Sequence, residues 1–200
     1  MRRAEDIRQA LIDNTIHVIA AGGFEYATTR NIAKYPSPLF AGTLNDAYIY
    51  RVFGSKEGLY DEVFATLDAE LTAAFCSRLR SLDRSDKSAK EILLYIFEGV
   101  WRFVLRDEDR CRCYVRYYYS IYFKEASQRK HRESFNQIVK GLLPLFKPEA
   151  DATAILHSAF TAILDFAIRV YNGDLENTEN NTKHIFNVLY SIIAPYLKET

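Results

Sequence analysis

The 200-residue sequence predicts an all-α protein. Three observations lead there. Apolar residues recur at three- and four-residue spacings along most of the chain. Glycine, proline and asparagine fall mainly between these stripes, where helices must stop. Period-2 alternation flanked by hairpin turns is absent, so an extended sheet is not expected, and no internal repeat is found.

The first helix is expected from Arg3 to Ala21, with Ile7, Leu11, Thr15 and Val18 on one stripe and Ala10 and Ile16 widening it. Arg8, Asp13 and Asn14 fall on its other faces. Gly22-Gly23 should stop it, and Phe24 should then tuck into the core. Thr28 and Thr29 precede the short run Arg30 to Lys34, where a threonine hydroxyl can cap the free amides of a second helix. Pro36, Pro38 and Gly42 mark a loop. Asn45 is expected to cap a third helix, Asp46 through Phe53, which Gly54 ends. Ser55 caps a long fourth helix, with Glu57 at its positive end and Leu59, Val63, Leu67, Leu71 and Phe75 spaced for burial.

Beyond Leu82, the polar run Asp83 to Lys87 breaks the pattern. Further helices are expected over Ala89 to Leu105, Asp109 to Ala126, Arg129 to Leu145, Ala152 to Tyr171 and Thr182 to Leu197. The stretch Tyr114 to Phe123 is rich enough in tyrosine, valine and isoleucine to suit a strand, but its neighbours favour helix.

Composition bounds the function. Twenty-six basic residues balance 26 acidic ones, which argues against a protein that coats nucleic acid by bulk charge; any such binding must come from a local arrangement. Residues 1–60 carry seven Lys+Arg against six Asp+Glu, a net of +1. Three cysteines make no disulfide framework. No signal-peptide core and no uncharged stretch of bilayer length is found, so a cytoplasmic protein without membrane insertion is expected.

From Thr28 to Leu59 the chain reads Thr-Thr-Arg-Asn-Ile-Ala-Lys, a loop, then Asn-Asp-Ala-Tyr-Ile-Tyr-Arg-Val-Phe-Gly-Ser-Lys-Glu-Gly-Leu. With Gly-Gly-Phe-Glu-Tyr-Ala ahead of it, this segment resembles the TetR family of repressors over roughly the first third of the chain. The resemblance implies a helix-turn-helix DNA-binding domain over residues 1–60. It also implies a helical regulatory and dimerisation domain over residues 61–200. In it the third helix reads DNA, with Ile49 and Phe53 packing inward and Asn45, Asp46, Ala47, Tyr48 and Arg51 facing outward. Small Ala47 would permit close approach to the groove. Thr28 or Thr29, beside Arg30, would hold one phosphate with the first amides of the second helix, and Tyr50 and Lys56 would hold others. One departure from the family pattern is the nine-residue insertion Pro36 to Leu44 in what is usually a short turn. Leu39 and Phe40 could fold back over the core, or this loop could touch DNA.

The implied protein is a ligand-responsive regulator, a repressor acting as a homodimer on a pseudo-palindromic duplex operator. Leu156, Ile163, Phe166, Ile185, Leu189 and Ile192 recur at spacings suited to pairing helices. Phe160, Ala167, Phe186 and Ile193 lie beside that stripe, an apolar surplus that a partner copy would cover. The aromatic density from Phe97 to Phe123 suggests a pocket for an aromatic or lipophilic small-molecule effector, with Trp101, Tyr118 and Phe160 as candidate walls.

Other signals are discounted. Cys111-x-Cys113 would point in two directions on a helix, and no His or Cys cluster completes a site, so no metal is expected. His17, His131, His157 and His184 are scattered, without a glutamate three residues ahead of any. Gly54 to Gly58 lacks phosphate-loop spacing. No catalytic constellation or cofactor loop can be assembled. The alternative reading is a helical protein–protein interaction module without DNA binding, which the weak charge of residues 1–60 keeps open.

Overall fold

The computed structural model describes residues 2–39 and 44–198, with side chains from residue 4 onward. Among these residues nine α-helices follow one another, and an antiparallel bridge pairs Phe146 with Leu197. The chain divides into two compact units, residues 1–68 with 108–130, and residues 69–107 with 131–200.

In the first unit, α1 (Arg2–Tyr26) breaks at Gly23, whose φ of 73° leaves the helical region before one more turn reaches Tyr26. α2 (Thr29–Lys34) and α3 (Ala47–Phe53) follow, then the start of α4 (Lys56–Ser81). This unit is larger than the segment 1–60 expected to bind DNA, because α6 (Glu108–Tyr118) joins it and packs along α1. Arg110 Nη2 reaches Asp13 Oδ1 at 3.2 Å and His17 Nδ1 reaches Asp109 Oδ2 at 2.6 Å. Beneath them lies an aromatic cluster. Phe64 stacks on Tyr117 at 4.6 Å, and Phe24 meets Tyr60 at 5.1 Å and Tyr122 at 4.7 Å. Cys111 and Cys113 are buried as packing residues.

α6 ends at Tyr118, eight residues before the expected Ala126. Ser120 explains the stop: its hydroxyl donates to Tyr117 O at 2.8 Å and accepts from Tyr122 N at 3.1 Å, drawing the backbone into a turn. α7 (Glu125–Leu142) therefore starts four residues earlier than Arg129.

The second unit holds the rest of α4 and α7 with α5 (Ala89–Val104), α8 (Ala152–Tyr171) and α9 (Glu179–Ile193). Ser88 and Glu91 close a capping box ahead of α5, and Asp151 caps α8 by accepting from Ala154 N at 3.0 Å. Thr178, rather than a residue near Thr182, caps α9 through Asn181 N at 3.1 Å. α7 and α9 both tighten into 3-10 turns, Leu143–Leu145 and Ala194–Tyr196, each with proline near its start. The two turns clasp each other with a local symmetry that the sequence pairs Leu-Pro-Leu-Phe-Lys and Ala-Pro-Tyr-Leu-Lys spell out. Lys147 N donates to Tyr196 O and Lys198 N to Leu145 O, both at 2.9 Å. Their ammonium groups reach Pro195 O and Pro144 O, again at 2.9 Å.

α8 packs on α9 and α5 within this unit. The apolar surplus assigned above to a partner copy is consumed here: Phe160, Ala167, Phe186 and Ile193 are buried in the protomer, as are Leu156, Ile163, Ile185 and Leu189. A stripe wide enough for two neighbours was read as one neighbour plus a partner, but α8 and α9 each meet several helices of their own chain. Phe166 and Ile192 remain half-exposed. By length and mean hydropathy, 1.4, α8 is the one described helix that could cross a membrane. Its apolar face is the one that packs in this core, and it carries Asp165 and Arg169.

Candidate nucleic-acid interface and effector cavity

α2 is only six residues long, so its position depends on anchors from other helices. Asn14 on α1 is the main one. Its amide is buried and donates to Ile32 O at 3.0 Å and Tyr35 O at 2.9 Å, satisfying the last carbonyls of α2. The sequence reading left Asn14 on an outer face; the signal it overlooked is that an asparagine beside the apolar stripe can close a neighbouring helix end. At the other end, Tyr60 on α4 donates its hydroxyl to Ala27 O at 2.6 Å, just before the cap. Thr28 Oγ1 accepts from Asn31 N at 3.1 Å, and Asn31 Nδ2 returns to Tyr26 O at 2.8 Å. Burial pushes the Tyr60 phenol well above its ordinary range, so it remains a donor.

The connection from α2 to α3 runs from Tyr35 to Asp46. Leu44 carries the return to the core: it is buried and its N–H donates to Ala33 O at 3.1 Å. Leu39 is 48% exposed and does not cover the core, and Phe40 lies outside the described residues.

α3 has one buried residue, Ile49. Phe53 is half-buried under the Arg8 guanidinium, which sits 5.8 Å from its ring centroid and also pairs with Glu62. Asn45 acts one residue further out than a cap: Asp46 occupies the cap position without a side-chain bond, while Asn45 Oδ1 accepts from Ala47 N at 2.8 Å. The far end is fixed by the Gly-Ser-Lys-Glu-Gly run. Gly54 takes φ 76°, Ser55 Oγ accepts from Gly58 N at 2.9 Å, and a Cβ on Gly58 would stand 2.3 Å from Phe53 O. These contacts turn the chain sharply from α3 into α4.

The consequence is a short helix held from behind, with its front open. Asn45, Asp46, Ala47, Tyr50 and Arg51 are exposed and Tyr48 is half-buried. Thr28 and Arg30 are exposed at the start of α2, and Thr29 is half-buried beside them. Lys56 is half-buried, its ammonium 5.7 Å from the Tyr60 ring centroid. The exposed residues of α3 and its leading edge carry hydrogen-bonding groups of both senses, and Arg30, Arg51 and Lys56 supply cations in the same unit.

The second unit contains an apolar cavity of about 60 Å³ among α4, α5, α7, α8 and α9, with Phe75, Phe97, Phe135, Phe160, Phe186 and Tyr190 among its walls. The three effector residues expected from sequence do not line one cavity. Phe160 is a wall. Trp101 is buried, stacks on Phe97 at 5.9 Å and borders a separate open groove of about 460 Å³ beside Glu98, Arg102 and Thr182. Tyr118 belongs to the first unit, packed on Phe123 at 4.7 Å. The tyrosine-rich stretch was read as a pocket lining because its hydroxyls need partners, and the structure supplies those partners internally. Tyr114 donates to Asp68 at 3.1 Å, and Tyr117 donates to Asp61 and to Tyr122 O.

The first unit thus opens with three helices whose third presents an open face, and the second unit is a helical bundle with a cavity of its own. No protein-family model matches the sequence, and no curated protein matches it. Solved structures do match the fold. A TetR family transcription regulator from Marinobacter aquaeolei superposes with a TM-score of 0.79 at 20% identity, covering 100% of both chains. A proposed TetR family regulator from Shewanella sp. gives 0.73 at 12% identity over 96% of this chain and 98% of that one. The fatty acid degradation regulator FadR from Bacillus halodurans gives 0.63 at 18% identity over 91% and 93%. The chain has the fold of the TetR family transcription regulators along its whole length.

Proposed function

We propose that this protein is a DNA-binding transcription regulator of the cytoplasm, a homodimeric repressor that an effector in the second unit releases from a pseudo-palindromic operator. The observation that carries the reading is the open face of α3, Asn45 to Arg51, in a chain that has this fold from end to end. Tyr48, with Asp46 or Asn45, reads base edges, while Thr28, Thr29, Arg30, Tyr50 and Lys56 position the phosphates. α4 supplies Tyr60 to the anchor of α2 and Phe75 to the cavity wall. An effector that prefers the DNA-incompetent arrangement lowers operator affinity by its difference in affinity for the two arrangements. Pairing through α8 and α9 would set the spacing of the two α3 helices, with Phe166 and Ile192 as the apolar residues left for a partner.

Selection of duplexes from a random-sequence pool, followed by a salt titration on the selected site, tests this directly. Binding should weaken steeply with salt, and Lys56→Ala should lower the slope by about one unit. Tyr50→Phe keeps the ring and should still weaken binding. Unchanged affinity in Tyr50→Phe together with an unchanged slope in Lys56→Ala would sink the docking geometry. No enrichment of any duplex would leave the protein–protein module. Sedimentation at micromolar concentration should give a dimer, and a monomer would remove the pairing.

A further inference from the structure

α2 carries the phosphate contacts assigned to Thr28, Thr29 and Arg30, and what orients it therefore bears on DNA binding; the inference rests on that DNA-binding reading. Six residues make roughly 1.7 turns, too few to persist without tertiary support. Twelve residues, 35–46, separate α2 from α3. A segment of that length can reach about 40 Å when extended, so the covalent link fixes neither distance nor angle. Ile32 and Ala33 are the buried side chains of α2. Apolar burial is non-directional, so the rotation of so short a helix has to be set by polar contacts.

Two side chains from the long helices make such contacts. Tyr60 holds the entry to α2 through Ala27 O, and Asn14 holds its exit. The exit is the end at which helix carbonyls run out of partners. Asn14 is 2% exposed, and its Nδ2 lies 3.0 Å from Ile32 O and 2.9 Å from Tyr35 O. Both neighbours are acceptors, so both amide hydrogens are used; an ionised carboxylate has none to give, a hydroxyl one and an alkyl group none. Leu44 N–H meets Ala33 O at the same end, but it comes from the connection itself and not from α1. α3 has separate supports in buried Ile49 and the Gly54 to Gly58 turn.

We infer that Asn14 is a positioning residue for DNA binding: buried away from any DNA, its side-chain amide orients α2 so that Thr28, Thr29 and Arg30 meet the phosphates while α3 reads the bases. Losing it should cost phosphate contacts and spare base selectivity.

Salt titrations of the full chain on the selected duplex and on a random one test this. Asn14→Leu keeps the approximate volume and removes both donors. It should weaken binding to the two duplexes by the same factor, to within about twofold, and lower the salt slope by about one unit, the share of the Arg30 charge. A purely structural defect lowers the folded fraction, which scales affinity at every salt concentration and leaves the slope intact. Arg30→Gln should lower the slope by about one unit in the wild-type chain and leave it unchanged beside Asn14→Leu, because the guanidinium is already displaced. If Asn14→Leu does not fold, Asn14→Ser, which keeps one donor, enters the same cycle and should show the same dependence on Arg30. An unchanged slope in the Asn14 variant, or additive effects of Asn14 and Arg30, overturns the inference alone. A wild-type chain that enriches no duplex overturns the DNA-binding reading and this inference with it.

Discussion

The two units both build their interiors from aromatic rings, and they build them differently. In residues 1–68 with 108–130 the buried rings are largely tyrosines whose hydroxyls are tied to fixed acceptors: Tyr60 to Ala27 O, Tyr114 to Asp68, Tyr117 to Asp61 and Tyr122 O. In residues 69–107 with 131–200 the rings are mainly phenylalanines, Phe75, Phe97, Phe135, Phe160 and Phe186, and they surround a void. A ring with a directional bond has one good position, whereas a ring held only by packing can change rotamer and let a guest in. Aromatic density alone therefore does not separate an interior tied by hydroxyls from one that surrounds a void.

The largest effect should come from the tied interior. Tyr60 is fully buried and joins Phe24 and Tyr122 while holding Ala27. Tyr60→Ala should cost about 3–5 kcal/mol of unfolding free energy. Tyr60→Phe keeps the ring but strands the Ala27 carbonyl, and should cost about 1–3 kcal/mol. Denaturant unfolding measures both. If Tyr60→Phe is neutral, the hydroxyl is not what fixes this unit, and the contrast fails at its first step.

The outer face of the same unit should respond in binding rather than in stability. Tyr48→Ala should cost about 1–3 kcal/mol on the selected duplex and leave affinity for random DNA nearly unchanged, because a base contact carries sequence information and a phosphate contact does not. Competition binding against the two DNAs checks it. An equal loss on both would move Tyr48 from reading to positioning.

Much of this face was legible from residues alone. Thr28, Gly54 and Ser55 have local jobs, caps and a helix stop, and local jobs leave short-range signatures. Asn14 was not legible, because its partners Ile32 and Tyr35 are 18 and 21 residues away and the pairing exists only once α1 and α2 pack. The same limit explains the tyrosines. Their number was visible, but whether each hydroxyl met a carbonyl or a ligand depended on α4, since Tyr114 and Tyr117 find Asp68 and Asp61 about fifty residues earlier. It also explains α8 and α9, whose apolar stripes showed how much surface needs covering without showing which neighbour covers it.

Cavity filling sharpens the contrast with opposite signs. Ala159 lines the void in the second unit, and Ala159→Val should be stabilising by roughly 0.5–2 kcal/mol where the added methyls enter empty space. Ala10 on α1 is completely buried, and Ala10→Val, which adds two methyls to a packed interior, should cost about 1–3 kcal/mol. Thermal and denaturant unfolding of the pair decide this. Equal destabilisation would mean that the second unit is as tightly filled as the first.

The smallest effect is a pH dependence, and it tests the low polarity around the cavity from the side. His157 on α8 lies against Phe135, a wall residue, with ring centroids 5.6 Å apart, and faces His131 at 6.4 Å. Burial first, then the neighbouring His131, lowers its pKa below the ordinary histidine value. The folded chain therefore binds this proton less readily than the unfolded chain does. Stability from this site is fully present above the unfolded value, near 6.5, and is lost as pH falls through it toward the lower folded value. His157→Gln removes the titration, so the difference in unfolding free energy between the two proteins should shift in favour of the variant as pH is taken from about 7.5 to about 5.5. The imidazole keeps substantial solvent contact, so the shift should be small, and urea titrations at several pH values are needed to resolve it. A difference that does not change with pH would show that the surroundings of His157 accept the charged ring as water does. A difference that moves the other way would show a carboxylate or carbonyl drawing the proton in, and the second unit would then be more polar beside its cavity than its lining implies.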